Sequence, residues 1–240
     1  MLIDAGKLIE ARESLNHVVQ RDPNSAEGAD ARALMTNLAE QTIYSPRVFP
    51  DDPLMTTRKV APSELLVKIA GEFNVPHEVI QQINGIADAT KVRAGQVLKM
   101  PRGPFHARIY KSQFRLDLYL QDTFVRSFRV GLGEDNGTPE GTWSVTERIS
   151  NPTYYPPASA KDRRKIDGND PSNPLGEHWI GLKGVDGAAV GQTGFGIHGT
   201  IEPDSIGRSA SMGCVRMHNE DVAFVFNALA PRQSTVTILP

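Results

Sequence analysis

The 240-residue chain contains a single cysteine, Cys214, so no disulfide within the chain stabilises its fold. It also lacks an apolar run of the ~18 residues that a membrane-spanning helix needs. Its first residues include Asp4 and Glu10, which interrupt the apolar stretch expected of a signal peptide, so we expect no export signal in this sequence. Lys and Arg number 26 against 28 Asp and Glu, and this balance excludes a strong basic field for nucleic-acid binding.

The N-terminal residues 1–44 are predicted to form a helical hairpin. Apolar side chains recur at helical spacing up to residue 18, a break follows at 21–25, and a second helix is expected over 29–43. Two pieces, Gly6…Glu10-Ala11 and Asp22-Pro23-Asn24, resemble a fragment of a tetratricopeptide-type repeat. A plain hairpin packed on its own chain is the alternative. Residues 45–55 contain three prolines and are predicted to be a linker.

Residues 56–102 have a β-α-α-β pattern. The second helix is expected to end at Asn84-Gly85, and the closing strand runs into Pro101. The segment resembles the LysM peptidoglycan-binding module through Ile69-Ala70, Val75, Asn84 and Gly95-Gln96-x-Leu98-x-Met100-Pro101. Its first turn, residues 61–65, departs from the family pattern at the border of the sugar groove. A module kept only as a spacer is therefore the alternative to a glycan-binding one.

Residues 103–240 are predicted to form a mainly β domain with one surface helix. Alternating apolar residues over 114–120 and 124–130 predict a half-buried hairpin that turns near Gln121. Further strands are expected at 142–146, 179–182, 195–198 and 214–217, followed by a helix that begins at Asn219 and a closing strand near residue 238. The irregular stretch 150–178 is interpreted as a lid over a substrate groove, with disorder as the alternative.

Two short strands joined by a loop could bring His198 and Cys214 together, and these residues lie sixteen positions apart. A thiol becomes a good nucleophile when it ionises, and a neighbouring imidazole promotes that ionisation. Gly213 allows a tight turn whose backbone N–H groups could hold an oxyanion. Arg216, two residues after the cysteine on an expected strand, could bind a carboxylate through two parallel hydrogen bonds.

Residues 105–239 resemble the L,D-transpeptidase catalytic domain, the YkuD family. The motif is His198, followed by Ser211-x-Gly213-Cys214-x-Arg216, with Met212 where a histidine is frequent. The resemblance implies a β-sandwich-like fold and no metal or organic cofactor. It also implies that Cys214 is the nucleophile, His198 the base and the Gly199 carbonyl the group that orients the imidazole. Oxyanion and substrate binding are expected of Gly213, Arg216, Ser211 and Thr200.

The implied reaction is acyl transfer on peptidoglycan. Cys214 would attack a tetrapeptide stem, expel the terminal D-alanine and form a thioester, which an amine of another stem resolves into a 3→3 crosslink. The expected partners are stem peptides and glycan, with carbapenem-type β-lactams as inhibitors, and neither nucleic acid nor a transmembrane segment is expected. Because the substrate is cell wall, the implied location is the cell envelope, outside the cytoplasmic membrane.

Three alternatives stay open. With water as the acceptor, the enzyme would be an L,D-carboxypeptidase. His198, Cys214 and His218 are residue types that bind zinc, although Arg216 between two of them would repel a cation. The LysM-like and repeat-like N-terminal half would also suit a non-catalytic protein that binds the cell wall.

Overall fold

The computed structural model describes residues 2–156 and 163–240. The chain divides into two compact units. The first contains the residues up to His106 together with 117–127 and 227–233, and the second contains 107–116, 128–226 and 234–240. No helix in the described part of the chain has both the length and the hydropathy needed to cross a bilayer.

The first unit begins with the predicted helical hairpin. Helix α1 spans Leu8–Arg21 and helix α2 spans Ala26–Thr42. Ser25 caps α2 by accepting a hydrogen bond at 3.0 Å from the backbone N–H of Gly28. Apolar residues of the two helices, including the fully buried Val19 and Met35, pack in a common core. The helices are therefore stabilised chiefly by packing of their apolar faces.

The β-α-α-β pattern forms as predicted, in strand β1 (Met55–Lys59), helices α3 (Leu66–Glu72) and α4 (His77–Asn84), and strand β2 (Val97–Pro101). The two strands pair antiparallel. Gly85 ends α4 with φ +62°, a left-handed conformation that glycine adopts without steric cost. The module is thus a two-stranded sheet whose strands are connected in sequence by two helices.

The remaining strands are β3 (Phe105–Tyr110), β4 (Arg115–Leu120), β5 (Thr123–Arg129), β6 (Leu132–Gly133), β7 (Gly141–Ser150), β8 (His178–Gly184), β9 (Phe195–His198), β10 (Ser209–Ser211), β11 (Val215–Arg216) and β12 (Thr235–Leu239). They form an eight-stranded sheet, in the order β11-β9-β8-β7-β12-β3-β4-β5, and a two-stranded parallel sheet of β6 and β10. Most pairs in the larger sheet for which a register is given are antiparallel, but β12 pairs parallel with β3, and β11 pairs parallel with β9. The fold is mainly β, as expected, and its fifth helix is α5 (Asn219–Ala228), which buries Val222 and Val225.

The hairpin of β4 and β5 differs from its prediction. Asp117 and Tyr119, which the alternating pattern places on a solvent-facing side, are 0% and 1% exposed. Tyr119 and Phe124 belong to the same apolar core as helices α1 and α2, and Asp117 accepts a hydrogen bond from Ser127 at 2.6 Å. The prediction of a half-buried hairpin was wrong because these helices cover its second face.

The irregular stretch between β7 and β8 has an isolated bridge between Tyr154 and Ile166. Buried Asn173 organises its second half, donating to the Pro152 carbonyl at 2.7 Å and accepting from the Leu175 N–H at 3.0 Å. These contacts argue against simple disorder for the described residues. The prediction of a lid also covers 157–162, which lie outside the described residues.

Candidate active site

A groove of about 640 Å³ lies within the second unit and contains several residues singled out from the sequence. Its polar and reactive lining comes from Cys214, His198, Arg216, Ser211 and Glu147. Apolar and aromatic residues form most of the remaining wall, with Ile149, Pro152, Tyr154, Tyr155, Pro174, Leu175, Trp179, Phe195 and Met212 among them. A mostly apolar cleft with a few convergent polar groups is the usual form of a small-molecule site.

The pairing of β9 with β11 brings the two motif segments together. The strands are parallel, Val215 is paired with Ile197, and Arg216 is paired with His198. Cys214 comes directly before β11, so a short-strand, loop, short-strand arrangement places it beside the strand that ends at His198. The register explains why residues sixteen apart in sequence line one groove.

His198 is buried, at 5% exposure, and its orientation is fixed from two sides. Its Nδ1 lies 2.6 Å from the carbonyl oxygen of Gly199. A carbonyl only accepts hydrogen bonds, so Nδ1 carries the proton and Nε2 keeps its lone pair. Trp179 stacks on the ring, with centroids 5.8 Å apart and an interplanar angle of 22°. Burial lowers the pKa of His198 to about 4, against the opposing effect of the Gly199 hydrogen bond. The imidazole is therefore neutral at physiological pH.

Cys214 is half-buried, and its sulfur lies 3.9 Å from the carbonyl oxygen of Gly194. Burial raises the pKa of its thiol, and a hydrogen bond from the Gly196 backbone and the charge of Arg216 partly oppose that shift. The resting side chain at neutral pH is a thiol. The site therefore holds a neutral thiol and a neutral imidazole that can accept a proton.

Two hydroxyl groups hold the turn that presents Cys214. Ser211 Oγ donates to the Cys214 carbonyl at 2.7 Å and accepts from the Gly213 N–H at 3.1 Å. Buried Thr138 donates to the Gly213 carbonyl at 2.9 Å and accepts from the Gly133 N–H at 2.9 Å. Because Ser211 occupies the N–H of Gly213, that group is not available to an oxyanion in this arrangement.

Gly213 has φ +138°, where residues with a side chain are strained. A Cβ atom at this position would lie 2.7 Å from Cε1 of Phe195 and 2.8 Å from the carbonyl oxygen of Gly137. Both distances are closer than van der Waals contact allows. The glycine expected on grounds of backbone freedom is required here by conformation and by space.

Of the two remaining predicted residues, Arg216 lines the groove and Thr200 does not. Arg216 lines the groove, and its Nη1 donates to Glu202 Oε2 at 2.8 Å. Thr200 is 5% exposed and is not one of the residues that line the groove. Its N–H donates to Asn219 Oδ1, and its Oγ1 accepts from the Glu202 N–H, both at 2.9 Å. The expectation that Thr200 binds substrate is not supported, because both groups are used to hold the backbone after His198.

Sequence reasoning missed four residues that shape the site: Trp179, Thr138, Asn219 and Glu202. The sequence predicts Asn219 only as the residue at which a helix begins. Its Oδ1 holds Thr200 and would lie 2.1 Å from a Cβ atom on Gly199, which explains the need for glycine there. The closeness of Asn219 to the cysteine motif was the available signal, since β11 and the start of α5 adjoin in sequence.

The structure does not support the alternative of a zinc site at His198, Cys214 and His218. Among the described residues, no three His, Cys, Asp or Glu side chains are grouped closely enough to hold a metal ion. His218 is exposed.

The fold and the groove define a class: a mainly β domain with a cysteine, a neutral histidine and an arginine in one cleft, joined to a small β-α-α-β module. Residues 104–238 match the family model of the YkuD L,D-transpeptidase catalytic domain, and residues 59–101 match that of the LysM domain. The first match covers more than half of the chain. The protein therefore belongs to the YkuD family of L,D-transpeptidase catalytic domains and contains a LysM domain.

Two relatives found by sequence agree with this assignment. The chain is 36% identical over 133 residues to the Bacillus subtilis protein named "Putative L,D-transpeptidase YqjB", a match that covers 54% of this chain and 68% of the relative. It is 28% identical over 193 residues to "Putative L,D-transpeptidase YkuD" of Bacillus licheniformis, covering 78% of this chain and 100% of the relative. Among solved structures, L,D-transpeptidase 3 from Mycobacterium tuberculosis with a faropenem-derived adduct aligns with a TM-score of 0.44 at 10% identity, over 62% of this chain and 76% of that one.

Proposed function

We propose that this protein is a peptidoglycan L,D-transpeptidase that forms 3→3 crosslinks through a thioester on Cys214. The observation that carries the proposal is the groove that Cys214, Arg216 and His198 line together. The tautomer of His198 is set by the 2.6 Å contact with Gly199. Membership of the L,D-transpeptidase family supplies the reaction class.

In the first step, Sγ of Cys214 attacks the carbonyl carbon of the L-centre of diaminopimelate or lysine in a tetrapeptide stem, and Nε2 of His198 takes the thiol proton. The tetrahedral intermediate collapses, the carbon–nitrogen bond to D-alanine breaks, and the leaving amine receives that proton. Because the resting pair is a neutral thiol and a neutral imidazole, His198 can accept the proton that the sulfur loses as it becomes a nucleophile.

In the second step, the amine of another stem attacks the thioester, and His198 accepts its proton. The carbon–sulfur bond then breaks, and the proton returns to the sulfur of Cys214. The result is an amide crosslink and the starting enzyme. Water in place of the amine would release a tripeptide, which is the L,D-carboxypeptidase alternative.

The decisive experiment incubates the purified protein with a disaccharide-tetrapeptide. We expect release of D-alanine and a mass adduct on Cys214, both lost in Cys214→Ala and His198→Ala. His218→Ala is the matched control for the histidine variant, because His218 is exposed and does not line the groove. A wild-type protein that binds wall polymer but releases no D-alanine would be a wall-binding protein instead.

Analysis of the products by mass spectrometry on isotope-labelled muropeptides separates the two acceptors. Crosslinked dimers indicate transpeptidation, and free tripeptide stems indicate hydrolysis. A carbapenem provides a second test, because we expect it to acylate the same sulfur. An adduct on any other residue, or no adduct, would contradict the role of Cys214.

We also propose that the LysM domain holds the enzyme on glycan, and hence that the protein works in the cell envelope. A linked module raises the concentration of substrate near the groove without a new contact to the stem. Sedimentation of the wild type and of Cys214→Ala with insoluble peptidoglycan should give equal binding. Failure of both proteins to sediment would remove glycan binding from the proposal.

A further inference from the structure

Arg216 is already bound to a carboxylate of its own chain. Its Nη1 donates to Glu202 at 2.8 Å, and the side chains of Arg216 and Glu202 are 18% and 66% exposed. The backbone of Glu202 is fixed, since its N–H donates to Thr200 Oγ1 at 2.9 Å and its carbonyl accepts from Ser205 Oγ at 2.6 Å. An exposed glutamate thus extends from a fixed turn to a cation on the groove.

The accessible edge of the guanidinium is the one that Glu202 uses. A carboxylate bound through two parallel hydrogen bonds takes either the Nε–Nη2 edge or the Nη1–Nη2 edge. The Nε atom of Arg216 is buried and has no hydrogen-bond partner within the described residues, so the Nε–Nη2 edge is closed to solvent at Nε. The remaining edge includes Nη1, which Glu202 occupies.

We propose that Glu202 is a specificity-determining residue that acts as an internal ligand of Arg216, and that the C-terminal carboxylate of the stem must displace it to bind. This inference rests on the proposed function for the identity of the substrate. The pair is single-contact and exposed on the glutamate side, so it is weak enough to exchange. Glu202 therefore reduces the advantage of a stem with a free carboxylate over a neutral one, because only the carboxylate has to displace it from Arg216.

The test compares two tetrapeptide stems, one with a free C-terminal carboxylate and one with a C-terminal carboxamide. The second-order rate of Cys214 acylation is measured for the wild type, Glu202→Gln and Glu202→Ala. Removal of Glu202 should raise the rate ratio of carboxylate to carboxamide by about two- to five-fold, the range that a surface ion pair allows. The rate ratio for Glu202→Gln should lie between those of the wild type and Glu202→Ala, because the amide oxygen of glutamine still accepts a hydrogen bond from Arg216.

The ratio of the two acylation rates distinguishes displacement of Glu202 from a change in the reactivity of the Cys214 thiol. The charge of Arg216 lowers the pKa of Cys214, so loss of Glu202 also affects the attack on any ligand. That effect changes both rates equally and cancels. Asp204→Asn is the matched control, because Asp204 is an exposed acid in the turn Pro203–Ser205, which directly follows Glu202. It removes the same charge and should leave the ratio unchanged.

A second measurement does not depend on the reaction. In the Cys214→Ala background, calorimetry should show tighter binding of the carboxylate stem when Glu202 is also replaced, and no change for the carboxamide. An unchanged selectivity in both measurements, or an equal gain for Asp204→Asn, would overturn the inference. If the wild type is never acylated but the binding selectivity increases, the proposed function fails and the role of Glu202 stands.

Discussion

The electrostatic state of His198 is set by its immediate surroundings. The ring lies against Trp179, is almost fully buried and donates through Nδ1 to the Gly199 carbonyl. Burial disfavours the imidazolium more than that hydrogen bond favours it, and the nearby charge of Arg216 acts in the same direction as burial. The imidazole is therefore neutral near pH 7 and able to accept a proton.

The acid side of the pH–activity profile should reflect the low pKa of His198. With a pKa of about 4, His198 stays neutral as the pH falls through 6, whereas a histidine with the ordinary pKa of about 6.5 would be roughly three-quarters protonated there. The pH profile of kcat/KM for acylation should thus show its acid inflection near pH 4, within the range where circular dichroism reports a folded protein. An inflection near pH 6.5 would contradict the buried, neutral imidazole.

The thiol of Cys214 responds to the charge next to it. Burial raises its pKa, and Arg216 opposes the shift, so Arg216→Gln should raise the pKa further. We expect alkylation by iodoacetamide at pH 8 to be slower than in the wild type, because a higher pKa lowers the thiolate fraction at that pH. Arg208→Gln is the control, since Arg208 is exposed and does not line the groove. Equal rates for the two variants would contradict the electrostatic role of Arg216.

At the scale of elements, the turn before β11 depends on side chains from elsewhere in the chain. Thr138, which lies between β6 and β7, bridges Gly133 and Gly213 with one hydroxyl. The same hydroxyl is both donor and acceptor, and both of its partners are backbone groups. It therefore fixes the backbone next to Cys214 and is not itself a residue that lines the groove.

Thr138→Val should test this bridge with little change in shape. The substitution leaves a buried N–H and a buried carbonyl unpaired, and each costs ~1–3 kcal/mol. We expect a loss of about 2 kcal/mol or more in the free energy of unfolding, measured with a denaturant, and slower acylation of Cys214. Thr142→Val makes the same chemical change at a partly exposed position on β7. A comparable loss of unfolding free energy in both variants would show that the hydrogen bonds of Thr138 do not contribute specifically to stability.

The sequence predicted most elements because their signals are local. The glycine after α4, the alternation in β5 and the short strands around His198 and Cys214 all depend on neighbouring residues. The burial of Tyr119 could not be predicted, since it depends on helices about a hundred positions earlier. The same limit applies to Thr138 and Glu202, whose contacts at the site arise from tertiary pairing alone.

At the scale of the whole molecule, the expected linker is held by buried charge within the first unit. Lys99, on β2 and 2% exposed, donates through Nζ to the carbonyl oxygens of Thr42, Ser45 and Arg47 at 2.6, 2.8 and 2.6 Å. Farther along the segment, Asp52 forms a buried ion pair with Arg12 of α1 at 2.5 Å. The chain between α2 and β1 is therefore attached to both the hairpin and the LysM domain, and it does not behave as a free tether.

Lys99→Met should release this segment. It keeps the length of the side chain and leaves three carbonyls without their shared donor, so we expect the free energy of unfolding to fall by about 2–4 kcal/mol. Trypsin should also cleave faster after Arg47, which the lysine holds through its carbonyl. Lys91→Met, at an exposed lysine of the same module, should change neither measurement. Unchanged cleavage in Lys99→Met would mean that other contacts fix the segment.

The difference in free energy of unfolding between the wild type and Lys99→Met should also depend on pH, which provides an independent check. Burial lowers the pKa of Lys99 to about 8 from its ordinary 10.5, with Asp52 opposing the shift and Arg12 adding to it. Between these two values the unfolded chain binds more protons than the folded one, so a rise in pH favours folding. The stability of the wild type relative to Lys99→Met should therefore increase from pH 8 to pH 10, in paired denaturant titrations. A constant difference across that interval would show that the amine is not perturbed by its burial among the three carbonyls.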